Sequence, residues 1–185
     1  MGSLLHFGRE EKINMKKIII LTILLSFFCL KIFAQSEHCF QFGWVEDKDP
    51  KGTNIRNAPS LSGKIIGNIP HAKDEGEQAM LEIIGYSNGW LKIRLAESVD
   101  GKTFFKGIGW ISAKKVTATV ETNSSKPAPL YSLPKKSSKK IGTISTEKLI
   151  NIVGFDCFGF KISYKGKTGW LSADDTCGNP VTTCP

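Results

Sequence analysis

The chain has 185 residues, 41% of them hydrophobic and 23% charged, with 18 Gly, 8 Pro, 5 Cys and a formal net charge of +8. That mix is too apolar for a disordered chain and lacks the glycine period of collagen. Its longest apolar run, residues 18–30, falls well short of the ~20 residues that span a bilayer as a helix.

In chain order, the first predicted element is a leader. From Met15 the sequence reads Met-Lys-Lys, then the apolar run, then Lys31-Ile32-Phe33-Ala34-Gln35. A cationic start, a short apolar stretch and a small residue at the cut describe a secretory signal peptide, so residues 1–34 are expected to be removed, with Met15 as the natural start. No stable membrane span is expected after cleavage, and the chain is expected to be exported, to a periplasmic or extracellular space. What remains carries Cys39, Cys157, Cys177 and Cys184. In an exported chain four cysteines predict two disulfides, with three connectivities open. A metal site is not expected, because no Cys-x-x-Cys spacing occurs and only His38 and His71 persist.

Beyond the leader the sequence repeats itself. Lys64-Ile65-Ile66-Gly67 matches Lys140-Ile141-Gly142, and Leu81-Glu82-Ile83-Ile84-Gly85 matches Ile150-Asn151-Ile152-Val153-Gly154. Gly89-Trp90-Leu91-Lys92-Ile93 matches Gly159-Phe160-Lys161-Ile162 with a one-residue slip, and Gly109-Trp110-Ile111-Ser112 matches Gly169-Trp170-Leu171-Ser172. Order and chemistry agree throughout, which marks a tandem duplication. The expected division is unit 1 over residues 38–117, a Ser/Thr/Pro-containing linker over 118–129, and unit 2 over 130–185 with a cysteine-containing tail. Both units consist of short runs with period-2 faces (Leu81 and Ile83; Ile150 and Ile152), separated by Gly and Asn. That pattern predicts a small all-β barrel or sandwich in each unit. Asn88-Gly89 and Lys165-Gly166 are predicted hairpin turns, and a longer hairpin in unit 1 is expected to turn at Asp100-Gly101.

Thr53-Asn54-Ile55-Arg56-Asn57-Ala58-Pro59-Ser60, Ile66-Gly67, Gly89-Trp90-Leu91-Lys92-Ile93 and Gly109-Trp110-Ile111 together resemble the bacterial SH3-like (SH3b) domain family. Unit 2 departs from the family pattern at Leu130-Tyr131-Ser132-Leu133-Pro134 and places Phe160 where the strand tryptophan is expected. Its tail is similar to those of exported SH3-like proteins of Bacteroidota. The resemblance implies two partly open β-barrels in tandem that bind peptides or cell-wall components and carry no chemistry of their own.

Candidate catalytic groups are few. Cys39 beside His38 is needed to complete the disulfides. The acidic run Asp74-Glu75-Gly76-Glu77 reads as a solvated loop, and Gly101-Lys102-Thr103 and Gly166-Lys167-Thr168 lack the upstream glycine of a phosphate-binding loop. The chain is therefore expected to be no enzyme and to need no cofactor. Lys135, Lys136, Lys139 and Lys140 form a basic cluster that could meet anionic wall polymer or lipid head groups, or serve only solubility. Nucleic acid is not expected for an exported chain. Exposed aromatics suit a groove for peptide, proline or sugar faces, and Trp90 and Trp110, then Tyr86 and Trp44, are the expected contacts. The expected function is binding of cell-envelope ligands, peptidoglycan or its peptides, with a scaffold docking onto an envelope protein as the alternative.

Overall fold

The computed structural model describes residues 39–121 and 126–181, which all belong to one compact unit. The expected leader, His38 and Cys184 lie outside the described residues. Within them the fold is all-β, interrupted only by two single-turn 3₁₀ segments, Ala113–Lys115 and Ala173–Asp175.

Barrel 1 comprises β1 (Gln41–Val45), β2 (Thr53–Arg56), β3 (Ile65–Ile69), β4 (Ala79–Ser87), β5 (Trp90–Ser98), β6 (Thr103–Ser112) and β7 (Val116–Thr117). These form one sheet in the order β3-β2-β6-β5-β4-β1-β7. Barrel 2 contains β9 (Ala128–Tyr131), β10 (Lys140–Ile144), β11 (Asn151–Asp156), β12 (Gly159–Tyr164) and β13 (Lys167–Ser172), ordered β10-β9-β13-β12-β11, plus the pair β8 (Thr119–Val120) and β14 (Thr176–Cys177). The alternation read from the sequence fills the interiors. Ile55, Leu81, Ile83, Leu91, Ile93 and Ile111 are fully buried in barrel 1; Leu130, Ile144, Ile152, Phe160, Ile162 and Leu171 occupy the same role in barrel 2. The hairpin turns stand where the sequence places them. Asn88 and Gly89 have φ of 47° and 84°, and Lys165 and Gly166 have 46° and 75°. Positive φ at both central residues matches the right-handed twist of the flanking strands.

The pairing registers refine the duplication. Ile93 faces Gly109 and Ile162 faces Gly169, so Lys92 corresponds to Lys161 and Leu91 to Phe160. Phe160 therefore takes the inward place of Leu91 and is not the counterpart of Trp90, as the sequence match suggests. Trp90 faces Ser112, and the residue facing Ser172 is Gly159. At Gly159 φ is 151°, and a Cβ there would lie 2.1 Å from the Leu171 carbonyl oxygen. Barrel 2 has no room for a side chain where barrel 1 carries Trp90.

Residues 118–129, expected as a linker, contain the first strand of barrel 2. Thr119 pairs with Cys177 and bridges to Leu149, just as Trp44 pairs with Thr117 and Met80 in barrel 1. Ala118 and Val120 are fully buried. Ile150 and Val120 donate backbone N–H bonds to Ala118 and Lys148 (3.0 and 2.8 Å). A three-residue run is too short to stand out from its Thr-rich surroundings by periodicity.

The barrels are joined covalently as well as by packing. β11 lies against β4, β7 and the 113–115 turn. Cys39, just ahead of β1, is bonded to Cys157 in the β11–β12 turn, with Cα atoms 5.3 Å apart. Cys177 is also disulfide-bonded.

Candidate functional site

Trp110 lies at the centre of a cross-strand row on the outer face of barrel 1. Its neighbours Gly109 and Ile111 point inward, so the indole points out. On one side Trp110 faces Arg56 of β2, and on the other Lys92 of β5. Directly opposed residues have Cβ atoms about 4.5–5.5 Å apart, so two cationic residues stand in register on either side of Trp110. The row continues to Ile65 on β3, which is half exposed, and to Gly85 on β4. A bulge at Ile84 sets Gly85 opposite Lys92, and a Cβ at Gly85 would lie 3.4 Å from the lysine Cβ. The glycine leaves the lysine stem room to lie flat on the sheet. Arg56 Nη1 donates to the Gly63 carbonyl at 2.7 Å and ties the 57–64 loop to the edge of this face. Trp90 sits diagonally from Trp110, because Trp90 faces Ser112 while Lys92 faces Trp110. Ile108, 55% exposed, precedes Trp110 by two residues on the same face.

The four expected contact residues thus divide. Trp90 and Trp110 share the outer face, and both are partly exposed. Trp44 is a correction: at 6% exposure it belongs to the buried cluster, on a strand bracketed by β4 and β7; paired with Met80 and Thr117, it lies on the sheet face opposite Gly43, where an added Cβ would meet Ile83 and Val116. Tyr86 faces the buried Leu91 and packs against the core, on the opposite side of the sheet from Trp90. Arg56 and Lys92 complete the row. The alternation of β5 marks Lys92 as outward, but no local pattern reveals that β2 lies beside β6.

Two concavities among the described residues lie elsewhere. A cleft of about 180 Å³ beside the start of β2 is lined by Asp47, Thr53, Pro70 and His71. Its carboxylate is already engaged: Asp47 accepts from Lys115 Nζ, from the Thr53 hydroxyl at 2.6 Å and from the Asp49 N–H at 3.2 Å. Burial alone would raise the Asp47 pKa, but these bonds and the Lys115 charge outweigh it and hold the carboxyl below its usual value. A depressed folded pKa stabilises fully above the unfolded value of 3.8 and is lost as pH falls through the folded one. Asp175, raised by burial, acts in the opposite sense, favouring the folded state as it protonates. Asp47→Asn should therefore lower the melting temperature at pH 6 and flatten its fall between about pH 5 and pH 3, measured by thermal denaturation against the parent. The second concavity is a groove of about 380 Å³ between the barrels, bordered by Glu46, Lys48, Lys114 and Leu149.

Among the described residues no three His, Cys, Asp or Glu side chains gather as a metal site. Cys39 Sγ is bonded to Cys157 and is no thiol nucleophile in this state. In the acidic loop, Asp74 and Glu77 accept backbone N–H bonds from Glu77 and Lys73 (3.1 and 3.0 Å), which orders the loop locally.

No protein-family model matches the chain, and no curated protein matches it. Among solved structures it is similar to NlpC1 from Trichomonas vaginalis, at 18% identity and a TM-score of 0.31, over 77% of this chain and 48% of that one. It is similar to NlpC2 from the same organism at 19% identity and a TM-score of 0.32, over 76% and 49%. The chain spans about half the length of these two structures.

Proposed function

We propose that this is an exported, non-catalytic protein of the SH3-like class that binds cell-envelope peptide through the outer face of barrel 1. The observation that carries the reading is the row Arg56–Trp110–Lys92, a tryptophan in register between two cationic residues, with Trp90 diagonal to it. Apolar ring faces stack on small side chains or sugars, and a guanidinium beside an ammonium favours carboxylates. A short peptide dense in carboxylates and alanine-sized side chains has that complementary chemistry, and the stem peptide of peptidoglycan is the envelope ligand of this kind. The leader and the Cys39–Cys157 bridge support an oxidising, extracytoplasmic location. A second reading, docking onto an envelope protein, draws on the exposed Leu61, Ile65, Ile66 and Ile108 beside the same face.

Co-sedimentation with purified peptidoglycan sacculi separates the two. The expected result is pelleting at 150 mM salt that Arg56→Gln/Lys92→Gln reduces at least tenfold while the far-ultraviolet circular dichroism spectrum stays that of the parent. Failure of the parent to pellet at low salt would overturn the peptidoglycan reading in favour of a protein partner.

A further inference from the structure

Barrel 2 carries the same row with its chemistry altered. Lys140 faces Tyr131, Tyr131 faces Trp170, Trp170 faces Lys161, and Lys161 faces Gly154. These are the registers of Ile65, Arg56, Trp110, Lys92 and Gly85 in barrel 1. A bulge at Val153 sets the glycine opposite the lysine, as Ile84 does in barrel 1. A Cβ at Gly154 would lie 2.8 Å from the Lys161 Cβ, so the glycine again seats a lysine stem. Lys161 Nζ stands 6.0 Å from the centre of the Trp170 ring. The edge position that is apolar in barrel 1, Ile65, is cationic here, Lys140. The arginine position is Tyr131, which is buried and met edge-on by Phe158 at 5.6 Å.

Three features distinguish this face from its counterpart. Charge is lopsided: residues 118–185 hold nine basic and five acidic groups. Of the loop lysines, Lys136 is paired with Asp174 at 2.7 Å, while no carboxylate pairs with Lys135, Lys139, Lys140 or Lys161 among the described residues. Its cations are widely spaced: Lys140 and Lys161 stand three strands apart, about 14 Å at the usual strand spacing, whereas Arg56 and Lys92 stand two apart. Finally, exposed hydroxyls border the indole, because Ser163 and Thr168 face each other two residues along from Lys161 and Trp170.

We infer that the β10-β9-β13-β12 face of barrel 2 is a second binding site, for a linear acidic polysaccharide. The Trp170 indole carries a sugar ring, Ser163 and Thr168 take its hydroxyls, and Lys140 and Lys161 pair with carboxylates on separate residues of the polymer. Cations spread over about 14 Å match repeating charges along a chain better than one compact anion. The inference is independent of the peptide reading for barrel 1, since it uses no residue of that face.

The test is a titration of the purified, oxidised protein with polygalacturonate at 150 mM salt, followed by tryptophan fluorescence and calorimetry, with neutral dextran, anionic phosphatidylglycerol vesicles and a single-stranded oligonucleotide alongside. Saturable binding to polygalacturonate and none to dextran is expected. Lys140→Gln/Lys161→Gln should weaken it at least tenfold at an unchanged melting temperature, and Lys51→Gln/Lys64→Gln, on barrel 1, should change it less than twofold. The proposal is overturned if the parent does not bind, if Lys140→Gln/Lys161→Gln binds like the parent, or if both lysine pairs weaken binding equally. Tighter binding to vesicles or to the oligonucleotide through Lys140 and Lys161 would also overturn it, reassigning the face to lipid or nucleic acid.

Discussion

Replacing Cys39 and Cys157 together by serine should lower stability by about 2–5 kcal/mol and the melting temperature by roughly 5–15 °C. The bridge spans 118 residues of sequence, and loop-closure entropy removed from the unfolded chain grows with that length. It also fixes the chain entering β1 to the β11–β12 turn, so its loss frees the first strand of barrel 1 from barrel 2. Amides of β1 should lose exchange protection first, because only β1 joins β7 to the rest of the sheet. A melting temperature within 2 °C of the parent would show that packing of β11 against β4 and β7 holds the barrels without the bridge. Replacing both cysteines leaves no stray thiol, so the comparison measures the bridge itself.

Trp44→Ala should cost about 3–5 kcal/mol of stability, the range for truncating a buried aromatic side chain. The indole is 6% exposed in the core cluster, on a strand flanked on both sides. Trp110→Ala should cost distinctly less, because its side chain is outward and partly exposed, while binding falls by a few kcal/mol. Thermal denaturation and ligand affinity measured together on both variants separate the core from the site. Equal destabilisation by the two, with no selective loss of affinity, would place Trp110 in the core as well.

The all-β fold is legible in the sequence because Leu81, Ile83, Ile150 and Ile152 alternate cleanly and because Asn88-Gly89 and Lys165-Gly166 supply the positive φ that tight hairpins require. Two features escape a linear reading. β8 has two residues, too few for a periodic signal, and it is a strand only because β14 returns to pair with it. Matching Trp90 to Phe160 aligns aromatic with aromatic, whereas the fold aligns Ile93 with Ile162, set by the glycines they face. The same limit governs the site. Tryptophans announce themselves in the sequence, but the cations around Trp110 come from strands 18 and 54 residues away, and the adjacency of β2 and β6 is a property of the closed sheet.

The peptide reading rests on a carboxylate meeting the cations that flank Trp110, and one titration addresses it directly. A soluble peptidoglycan stem peptide and the same peptide with its carboxylates amidated are titrated calorimetrically into the parent and into Arg56→Gln/Lys92→Gln. The predicted result is binding of the free acid by the parent, with at least tenfold weaker binding for either the amidated peptide or the variant. Equal affinity in all four combinations, or no binding of the free acid by the parent, would contradict it.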